Sequence, residues 1–387
     1  MPERMRIMLA GPYPKEDGKI HGGVEAVLFS LAEGLATIGG QEVHVLTSVP
    51  GLPAAKESTT WSGVRIHRVP HFGKLGCLTS FAVDSHRLRK VLNQVSPDVV
   101  NVHTQTMYPD ALLERGFASV LTIHGVYFRE VQLLRGFVQR FQGRLGCIYE
   151  RNAVARAKHI VLTSRYLQDV YGDMLRGSVL HQIDNAVDDS FFNLPNLEQP
   201  EAVLYAGVIL ERKGVIHLVR AAHLLRDRGV PIKLWVVGPV IEPEYAAMIK
   251  AYVEDNGLRD CVEITGMIPQ EELMERYSRC SMLVLPSMIE TTPMAIAQAQ
   301  AAGKPVVATD RAGIPCMVFD GENGYTVPYG DAEMLADRIG KLILDADTRH
   351  RMGEAARKTA DSRYSWPVVV GKMLEVYSAA ASRGRSA

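Results

Sequence analysis

The sequence lacks several features that would place it in a functional class at first sight. Its 387 residues carry 43 basic and 43 acidic side chains, so no net charge favours nucleic acid as a partner. No apolar run reaches the roughly 18 to 20 residues that span a bilayer, and the apolar stretch near the first residue is too short for a signal peptide. We therefore expect a cytoplasmic protein.

Cysteine and glycine motifs are also scarce. The five cysteines stand far apart, with no Cys-x-x-Cys pair and no histidines at zinc spacing, a pattern typical of small core residues in a reducing compartment. The first predicted strand is not followed by Gly-x-Gly-x-x-Gly, which argues against a dinucleotide site. Zinc modules and nicotinamide-dependent oxidoreductases are therefore disfavoured.

The chain does contain a regular alternation of short apolar runs and segments with helical periodicity. Such alternation predicts parallel strands covered by helices on both faces. The predicted strands of the first half are Arg6–Ala10, Val43–Leu46, Asp98–Val102, Val120–Ile123, Ile160–Thr163 and Val179–Ile183. After a pause at Leu194–Pro200, those of the second half are Ala202–Ala206, Ile232–Val237, Val262–Thr265, Met282–Leu285 and Val306–Ala308.

These two series predict an α/β protein with two doubly wound, Rossmann-like domains of similar size. The boundary is expected between residues 197 and 198, and the second domain is expected to end near residue 365. In open parallel sheets, ligands bind beyond the carboxyl ends of the strands, so two such halves facing each other would enclose a cleft. The residues alone do not decide which half receives the last helix, predicted to begin near Trp366.

Two strand ends of the first half carry candidate ligand-binding groups. Gly22 and Gly23 come directly before the first helix, where a bare backbone and free N–H groups suit a phosphate. A flexible loop explains the same pair, and alone it is weak evidence. His124 directly follows the strand that ends at Ile123, and its position fits a ligand-binding residue and an ordinary turn residue equally.

Strand ends of the second half carry charge. Arg212 and Lys213 precede a helix, where two cations could offset a departing diphosphate or form a solvated surface pair. Glu290 lies in the turn before another helix. Its carboxylate could accept hydrogen bonds from sugar hydroxyls, or merely favour the helix dipole, an effect worth about 0.3–1 kcal/mol.

The helix after Glu290 has further signals of its own. Thr292 is predicted to cap this helix, which is expected over residues 294–302. The amides of Met294 and Ala295 are expected to remain unpaired at its start, where they could face an anion. Gln298 follows about a turn and a half along the helix, where its amide could reach a ribose.

Together these segments resemble the retaining glycosyltransferases of family 4, which have the GT-B fold, over nearly the whole chain. The matching segments are, in order, Gly22-Gly23-Val24-Glu25, His124-Gly125, Asn185–Asp188 with a following phenylalanine, Tyr205–Gly214, and Glu290–Val306. The ending, Tyr364–Tyr377, resembles the family's last helix, which packs back on the N-terminal domain. In this order and spacing, the set is specific.

Three positions depart from the motifs of the family that the chain resembles. Val208 stands where an arginine that contacts the diphosphate is usual, and Arg212 is the candidate substitute. Gln298 replaces the second acid of Glu-x7-Glu, a change that keeps hydrogen bonding to a ribose. Ala186 replaces the glycine of Asn-Gly-Val-Asp, a change we treat as minor.

The resemblance implies a retaining hexosyltransferase whose donor is a nucleoside-diphosphate sugar, with uridine as the default base. The implied acceptor is a hydroxyl of a glycan, a lipid-linked sugar or a small metabolite. The functional residues are then expected to be His124 and Glu290 (catalytic), Gly22, Gly23, Arg212, Lys213, Thr292, Met294, Ala295 and Gln298 (donor), and Glu25 (acceptor). No Asp-x-Asp segment indicates a metal-bound diphosphate, so neither a metal nor another cofactor is expected.

Two other classes fit the same motifs. One is a sugar-nucleotide epimerase of the GT-B fold, which would consume donor without any acceptor. The other is a non-catalytic sugar-nucleotide binder, which Val208 and Gln298 suggest. Such a binder would hold the donor tightly and transfer nothing to any acceptor.

Residues 129–158 suggest contact with a membrane surface, which would make the protein peripheral. They hold seven basic residues against Glu130 and Glu150. Such a surface could lie on anionic lipid and receive a lipid-linked acceptor. A helix packed on its own domain with a solvated basic rim explains the pattern too. The apolar residues on one face of the predicted helix are Leu134, Phe137, Val138, Phe141, Leu145 and Ile148.

Overall fold

The computed structural model describes residues 4–14, 20, 22–71, 82–103, 107–113, 116–131 and 137–384, and each structural statement below concerns these residues. The chain divides into two compact units. Unit 1 consists of Met1–Ala186 and Trp366–Ala387, and unit 2 consists of Val187–Ser365. Each unit contains one mainly parallel sheet covered by helices, which confirms the predicted fold class.

The sheet of unit 1 has eight strands. They are β1 (Arg6–Ala10), β2 (Glu42–Pro50), β3 (Lys56–Thr59), β4 (Arg65–His71), β5 (Val99–Val102), β6 (Ala118–Ile123), β7 (His159–Leu162) and β8 (Val179–Gln182). Their order across the sheet is β3-β4-β2-β1-β5-β6-β7-β8, and only β3 and β4 pair antiparallel. These two strands were not predicted from the sequence, because β3 is polar and largely exposed, and charged residues interrupt β4.

The sheet of unit 2 has six strands, all paired in parallel. They are β9 (Ala202–Ala206), β10 (Lys233–Val237), β11 (Val262–Gly266), β12 (Met282–Leu285), β13 (Val306–Thr309) and β14 (Gly324–Val327). Their order is β11-β10-β9-β12-β13-β14, so β9 lies beside β12 at the centre of the sheet. Strand β14 was not predicted from the sequence, because it is short and Val327 is its one aliphatic residue.

Helices connect these strands. They are α1 (Gly23–Thr37), α2 (Ala82–Val95), α3 (Met107–Leu112), α4 (Tyr127–Glu130), α5 (Phe137–Arg156), α6 (Arg165–Tyr171), α7 (Asp189–Phe192), α8 (Val215–Asp227), α9 (Pro243–Asp255), α10 (Gln270–Arg279), α11 (Met294–Ala301), α12 (Ala332–Leu344), α13 (Ala346–Arg363) and α14 (Trp366–Gly384). Among the described helices, none combines the length and the apolar character needed to cross a bilayer.

The last helix, α14, completes the core of unit 1. Its buried side chains share one apolar cluster with α1 and with β1 and β2. The indole N–H of Trp366 donates to the hydroxyl of Ser30 over 2.8 Å. Further along, the amide of Asn101 donates to the hydroxyl of Tyr377 over 2.7 Å. The chain therefore leaves unit 1 after Ala186 and returns to it for this helix.

The segment expected to link the two domains is packed inside unit 2. Leu197 and Gln199 donate backbone hydrogen bonds to the carbonyls of Ser278 and Arg279, over 3.1 and 2.8 Å. Glu198 pairs with the buried guanidinium of Arg349 over 2.8 Å. The expected boundary between residues 197 and 198 thus lies within a compact unit. The proline and asparagine content indicated a loop there, but it did not indicate that hydrogen bonds and an ion pair hold this loop against the rest of unit 2.

The cysteines bear on an expectation drawn from composition. Of the four cysteines that lie in the described residues, only Cys280 is buried, so the prediction of small core residues holds for one of them.

The N–H of Val187 donates to the carbonyl of Tyr364 over 2.9 Å. This bond ties the beginning of unit 2 to its end.

Candidate active site

Lys213 stands in a tight turn beyond the carboxyl end of β9. A 3-10 turn, Glu211–Lys213, leads into Gly214, which caps α8 in the left-handed conformation with φ of 66°. A side chain at Gly214 would place its Cβ 2.2 Å from the carbonyl oxygen of Pro286. Glycine is therefore required here for both the backbone angle and the space. The turn packs directly against the segment that follows β12.

That segment carries Glu290. The N–H of Met288 donates to the carbonyl of Arg212 over 2.8 Å, and the N–H of Gly313 donates to the carbonyl of Glu290 over 2.7 Å. Nζ of Lys213 forms an ion pair with Oε1 of Glu290. The two side chains are only 14% and 11% exposed, respectively. The structure thus brings together the two charged residues that the sequence had placed 77 positions apart.

Arg212 and Val208 occupy the rest of this turn. The guanidinium of Arg212 is half-buried and forms no hydrogen bond or ion pair with the described part of the chain. Val208 stands at the position of the expected arginine, and its carbonyl accepts a hydrogen bond from the hydroxyl of Tyr205 over 2.8 Å. Burial, and then the charge of Glu290, raise the pKa of Tyr205 well above its usual value, so its hydroxyl stays protonated.

The N-terminus of α11 follows Glu290, but its cap is not the predicted one. The helix spans Met294–Ala301, and Pro293, in an extended conformation, is its N-cap. The expectation that Thr292 caps the helix is therefore wrong, because the chain turns into the helix one residue later. The first N–H groups of a helix have no acceptor within it, so those of Met294 and Ala295 are still oriented outward from its start.

Gln298 is held on the inner side of α11. Its side-chain carbonyl accepts a hydrogen bond from the buried hydroxyl of Tyr277 over 3.2 Å. Burial raises the pKa of Tyr277 well above its usual value, so this hydroxyl is a donor. A neutral amide fits such a donor without adding charge, which gives a physical reason for glutamine at this position.

Unit 1 carries the other candidate residues. Gly22 caps α1 with extended backbone, Gly23 is its first residue, and both are exposed. A Cβ at either glycine would lie more than 4 Å from every other atom of the described residues. Glu25 is half-buried in the first turn of the same helix. An open helix N-terminus of this kind suits an anionic group.

His124 follows β6 and lies against a second histidine, His103, which follows β5. Nδ1 of His103 is 2.9 Å from Nε2 of His124. The ring centroids are 5.1 Å apart, and the ring planes are 21° from parallel. His103 is only 1% exposed. A Cβ at Gly11 would lie 3.1 Å from the Cβ of His103, so β1 approaches this pair closely.

Burial keeps both rings of this pair neutral. It lowers the pKa of His124 from 6.5 to about 4, and the side chain of Asn185 partly opposes that shift. Asn185 does so although no hydrogen bond of standard geometry reaches Nδ1 of His124 within the described residues. Burial, and then the neighbouring His124, lower the pKa of His103 well below its usual value. At neutral pH the pair adds no positive charge to unit 1.

His124 was predicted as a site residue from the sequence, and His103 was not. The same signal was available for both, because each histidine directly follows a strand in the same sheet. In the segment Val-Asn-Val-His-Thr, however, His103 belongs to no motif that the resemblance covered. Only the strand order, which places β5 beside β6, shows that the two rings meet.

The described residues also bear on metal binding. No group of three or more histidine, cysteine, aspartate or glutamate side chains among them is arranged to hold a metal ion. The sequence contains one Asp-x-Asp, at Asp345–Asp347. The carboxylate of Asp345 accepts the N–H of Thr348 over 2.9 Å and caps α13. This hydrogen bond lowers the pKa of Asp345, as expected for a helix cap.

Two doubly wound α/β units of this topology define the GT-B class of glycosyltransferases. Among solved structures, sucrose-phosphate synthase from Thermosynechococcus elongatus matches with a TM-score of 0.80 at 21% identity, over 98% of this chain and 100% of that one. HepE of Anabaena, in complex with UDP and glucose, matches with a TM-score of 0.73 at 16% identity, over 97% and 100%. These matches establish the fold.

Sequence comparisons establish the family. The model for Glycosyltransferase Family 4 matches residues 21–191, and the model for Glycosyl transferases group 1 matches residues 187–359. A D-inositol 3-phosphate glycosyltransferase of Xylanimonas cellulosilytica is 27% identical over 94% of this chain and 93% of its own. An uncharacterized glycosyltransferase of Methanocaldococcus jannaschii is 25% identical over 92% and 94%. The chain belongs to glycosyltransferase family 4.

Proposed function

We propose that the protein transfers a hexosyl group from a nucleoside-diphosphate sugar to a hydroxyl acceptor, with retention of the anomeric configuration and without a metal ion. The observation that carries this proposal is the Lys213–Glu290 ion pair, held beyond the ends of the two central strands of unit 2. Ligands of open parallel sheets bind at such ends. The pair offers one group for phosphate and one for sugar hydroxyls.

In this proposal the cations of the turn bind the donor diphosphate. Lys213 exchanges its carboxylate partner for phosphate oxygens, and the guanidinium of Arg212 adds a second positive charge. The outward N–H groups of Met294 and Ala295, next to Thr292, add the positive end of a helix dipole. Such groups stabilise the negative charge that develops on the departing diphosphate.

Glu290 is assigned to the transferred sugar. Once Lys213 turns to the phosphates, the carboxylate is free to accept hydrogen bonds from hydroxyl groups of that sugar. Retaining glycosidases place two carboxyl groups about 5–5.5 Å apart, one of them as nucleophile. Glu290 instead has a cation as its immediate partner. This supports a front-face route, in which a phosphate oxygen takes the acceptor's proton while the sugar becomes oxocarbenium-like.

The remaining residues are assigned by their places in the two units. Gln298 is assigned to the ribose and Gly22 and Gly23 to the diphosphate, while Glu25 is assigned to the acceptor. His124 is assigned to the sugar, where a neutral ring avoids repulsion of the positive charge that develops there. The donor base is proposed to be uracil, because HepE has been solved with UDP and with UDP-glucose. The acceptor class is a glycan, a lipid-linked sugar or a small metabolite.

A donor panel tests the proposed function. Purified protein is incubated with UDP-, GDP- and ADP-sugars and a mixture of hydroxyl acceptors, with and without EDTA, and products are analysed by mass spectrometry and NMR. We expect an acceptor-dependent product that keeps the anomeric configuration of the donor, in equal amounts with EDTA. Donor conversion without acceptor would indicate an epimerase, and tight binding without turnover would indicate a binder. An inverted product, or loss of activity with EDTA, would contradict the mechanism.

We also propose contact between α5 and an anionic membrane surface, which would bring the protein to a lipid-linked acceptor. The side chains of Phe141 and Ile148 are 48% and 55% exposed, and they lie two turns apart. Glu150 does not offset the basic residues of this helix, because it is buried and accepts hydrogen bonds from the N–H groups of Tyr127 and Phe128. Leu134 and Arg135 of the predicted surface lie outside the described residues.

Liposome flotation tests the membrane proposal. We expect the protein to float with vesicles that contain anionic lipid and to remain in solution with purely zwitterionic ones. Replacing Phe141 and Ile148 by serine should reduce flotation. Replacing the exposed Trp61, which lies between β3 and β4, is the matched control. No flotation with either lipid would refute this proposal and leave the transferase assignment intact.

A further inference from the structure

The Lys213 turn, residues 209–214, leads into a helix that begins without a side-chain cap of its own. Helices usually begin at a residue whose side chain accepts a hydrogen bond from the second or third N–H of the helix. In α8 that place is taken by Gly214, which has no side chain and forms no such bond. The first N–H groups of α8 therefore need an acceptor from elsewhere in unit 2.

Tyr245, in the first turn of α9, supplies this acceptor. The N–H of Ile216, the second residue of α8, donates to the hydroxyl oxygen of Tyr245 over 3.0 Å, and this hydrogen bond is buried. Tyr245 is only 8% exposed. Burial raises its pKa to about 12, so the hydroxyl stays protonated and uncharged at neutral pH. Tyr245 thus caps α8 in place of Gly214.

The segment that precedes α9 holds the beginning of the same turn. The N–H of Ile209 donates to the carbonyl of Pro239 over 2.8 Å, and the N–H of Ile241 donates back to the carbonyl of Ile209 over 3.1 Å. The carboxylate of Glu242 accepts the N–H of Glu211 over 2.8 Å. These contacts fix the turn where it starts, and the hydroxyl on α9 acts where it ends.

We propose that Tyr245 is a positioning residue that holds Lys213 in place for the donor diphosphate. Lys213 lies three residues before the N–H that Tyr245 accepts, so loss of this hydrogen bond releases the backbone that carries the lysine. Within the turn, the N–H of Lys213 donates to the nearby carbonyl of Leu210 over 3.0 Å. The assignment of Lys213 to the diphosphate rests on the proposed function, whereas the capping hydrogen bond does not.

Two tyrosines of α9 allow a matched comparison. Tyr245→Phe removes the acceptor and keeps the ring. Tyr252 lies two turns further along α9, and its hydroxyl is 3.0 Å from Nδ1 of His223 on α8. Both Tyr→Phe variants therefore lose one hydroxyl between the same two helices, but only the first acts next to Lys213.

Isothermal titration calorimetry with UDP measures the effect on diphosphate binding. We expect Tyr245→Phe to bind UDP about fivefold more weakly than the wild type, the factor that one capping hydrogen bond is worth. Tyr252→Phe should bind UDP as the wild type does. Equal affinities for the two variants would contradict the proposal.

A double-mutant cycle with Lys213→Ala shows whether Tyr245 acts through the lysine. Once the lysine side chain is absent, its position no longer matters, so Tyr245→Phe should cause no further loss of affinity for UDP in that background. A merely structural role predicts the same loss in both backgrounds. That result would mean that Tyr245 does not position Lys213, and the proposal would be wrong.

Hydrogen exchange followed by mass spectrometry tests the capping hydrogen bond without a ligand. On peptides that cover residues 209–217, we expect faster exchange in Tyr245→Phe than in the wild type or in Tyr252→Phe. Unchanged exchange would overturn the proposal. If exchange and UDP affinity change as expected but no sugar is transferred to any acceptor, the transferase proposal fails and the role of Tyr245 stands. If the wild type binds no nucleoside diphosphate, the assignments of Lys213 and Tyr245 are both wrong.

Discussion

The two units hold their candidate residues in opposite electrical states. In unit 2, Lys213 and Glu290 are both charged and neutralise each other. In unit 1, His103 and His124 contact each other as neutral rings, because burial lowers the pKa of both. A charged pair can exchange partners when an anionic ligand arrives, whereas a neutral pair forms hydrogen bonds without attracting ions. This difference fits the proposed donor, which has an anionic diphosphate and a neutral sugar.

A second stacked histidine pair in unit 1 has carboxylate neighbours. His44 and His67 stack with centroids 5.2 Å apart and a 2.9 Å contact between Nδ1 and Nε2. Carboxylates flank them: Glu42 is 3.1 Å from Nε2 of His44, and Glu57 is 2.9 Å from Nδ1 of His67. The three hydrogen bonds need three ring protons, whereas two neutral rings have two. All three can therefore form at once only when the histidine pair carries one positive charge.

The largest effect is expected from breaking the charged pair. Lys213→Ala removes the proposed phosphate ligand, and we expect affinity for the nucleoside diphosphate to fall by about 100-fold, equivalent to roughly 3 kcal/mol for a charge-assisted contact. Isothermal titration calorimetry with UDP measures this change. The exposed Lys250 on α9 supplies the control, since Lys250→Ala should bind as the wild type does. Equal affinities for the two variants would remove Lys213 from the donor site.

A slightly smaller effect is expected from displacing the turn that carries Lys213. Gly214→Ala must adopt φ near 66° and approach Pro286 to 2.2 Å, so we expect a loss of roughly 2–3 kcal/mol in the free energy of unfolding. Gly229→Ala shares the positive φ, at 74°, but meets no atom within 4 Å, and should lose about 1 kcal/mol. Urea denaturation compares them. Equal losses would mean that the contact with Pro286 is unimportant.

The neutral pair predicts a pH dependence of stability. The pKa of His124 is about 4 in the folded protein and about 6.5 when unfolded, so the unfolded state binds more protons between these values. Stability is therefore complete above pH 6.5 and falls as the pH drops towards 4, by up to about 1.4 kcal/mol per pH unit from this residue. Denaturation at several pH values should show a smaller slope for His124→Gln. An unchanged slope would contradict the neutral state assigned to this ring.

The smallest effect is expected at the flanked pair. Burial lowers the pKa of His44, and its hydrogen bond with Glu42 raises it. Glu42→Gln removes the negative charge, so we expect the pKa of His44 to fall further, and only slightly because Glu42 is partly exposed and solvent screens it. An NMR titration measures this shift, with the His103 signals as internal control. A rise in the pKa of His44 would show that the carboxylate does not stabilise the charged ring.

Much of the fold was predictable from sequence, and the reasons are local. β9 and β12 are continuous apolar runs buried on both faces, β1 is such a run after Arg6, and the predicted bounds of all three are confirmed. The polar edge strand β3 carries no such signal, because it is largely exposed and its pairing with β4 depends on the tertiary structure. The sequence also indicated a domain boundary between residues 197 and 198. In the structure these residues belong to a loop of unit 2, which contacts residues distant in sequence, such as Arg349.

The candidate site was predictable as a set of strand ends but not as a set of contacts. Position after a strand made Lys213, Glu290 and His124 candidates, and the resemblance to family 4 selected them. The ion pair depends on the close approach of Gly214 to Pro286, which no spacing rule indicates. The pairing of His103 with His124 depends on strand order, and the capping role of Pro293 in place of Thr292 depends on where the chain turns into α11.

The discontinuity of unit 1 has a consequence for how the protein is made. During synthesis from the N-terminus, the sheet of unit 1 emerges first, yet its apolar face stays open until α14 has been translated. Unit 2 is one uninterrupted stretch whose two ends are tied by Val187 and Tyr364, so it is free to complete its own core earlier. Unit 1 is therefore the first to be synthesised in part and the last to complete its core. A released chain that ends at Ser365 would contain all of unit 2 beside a first unit without α14, whose uncovered apolar surface chaperones would recognise.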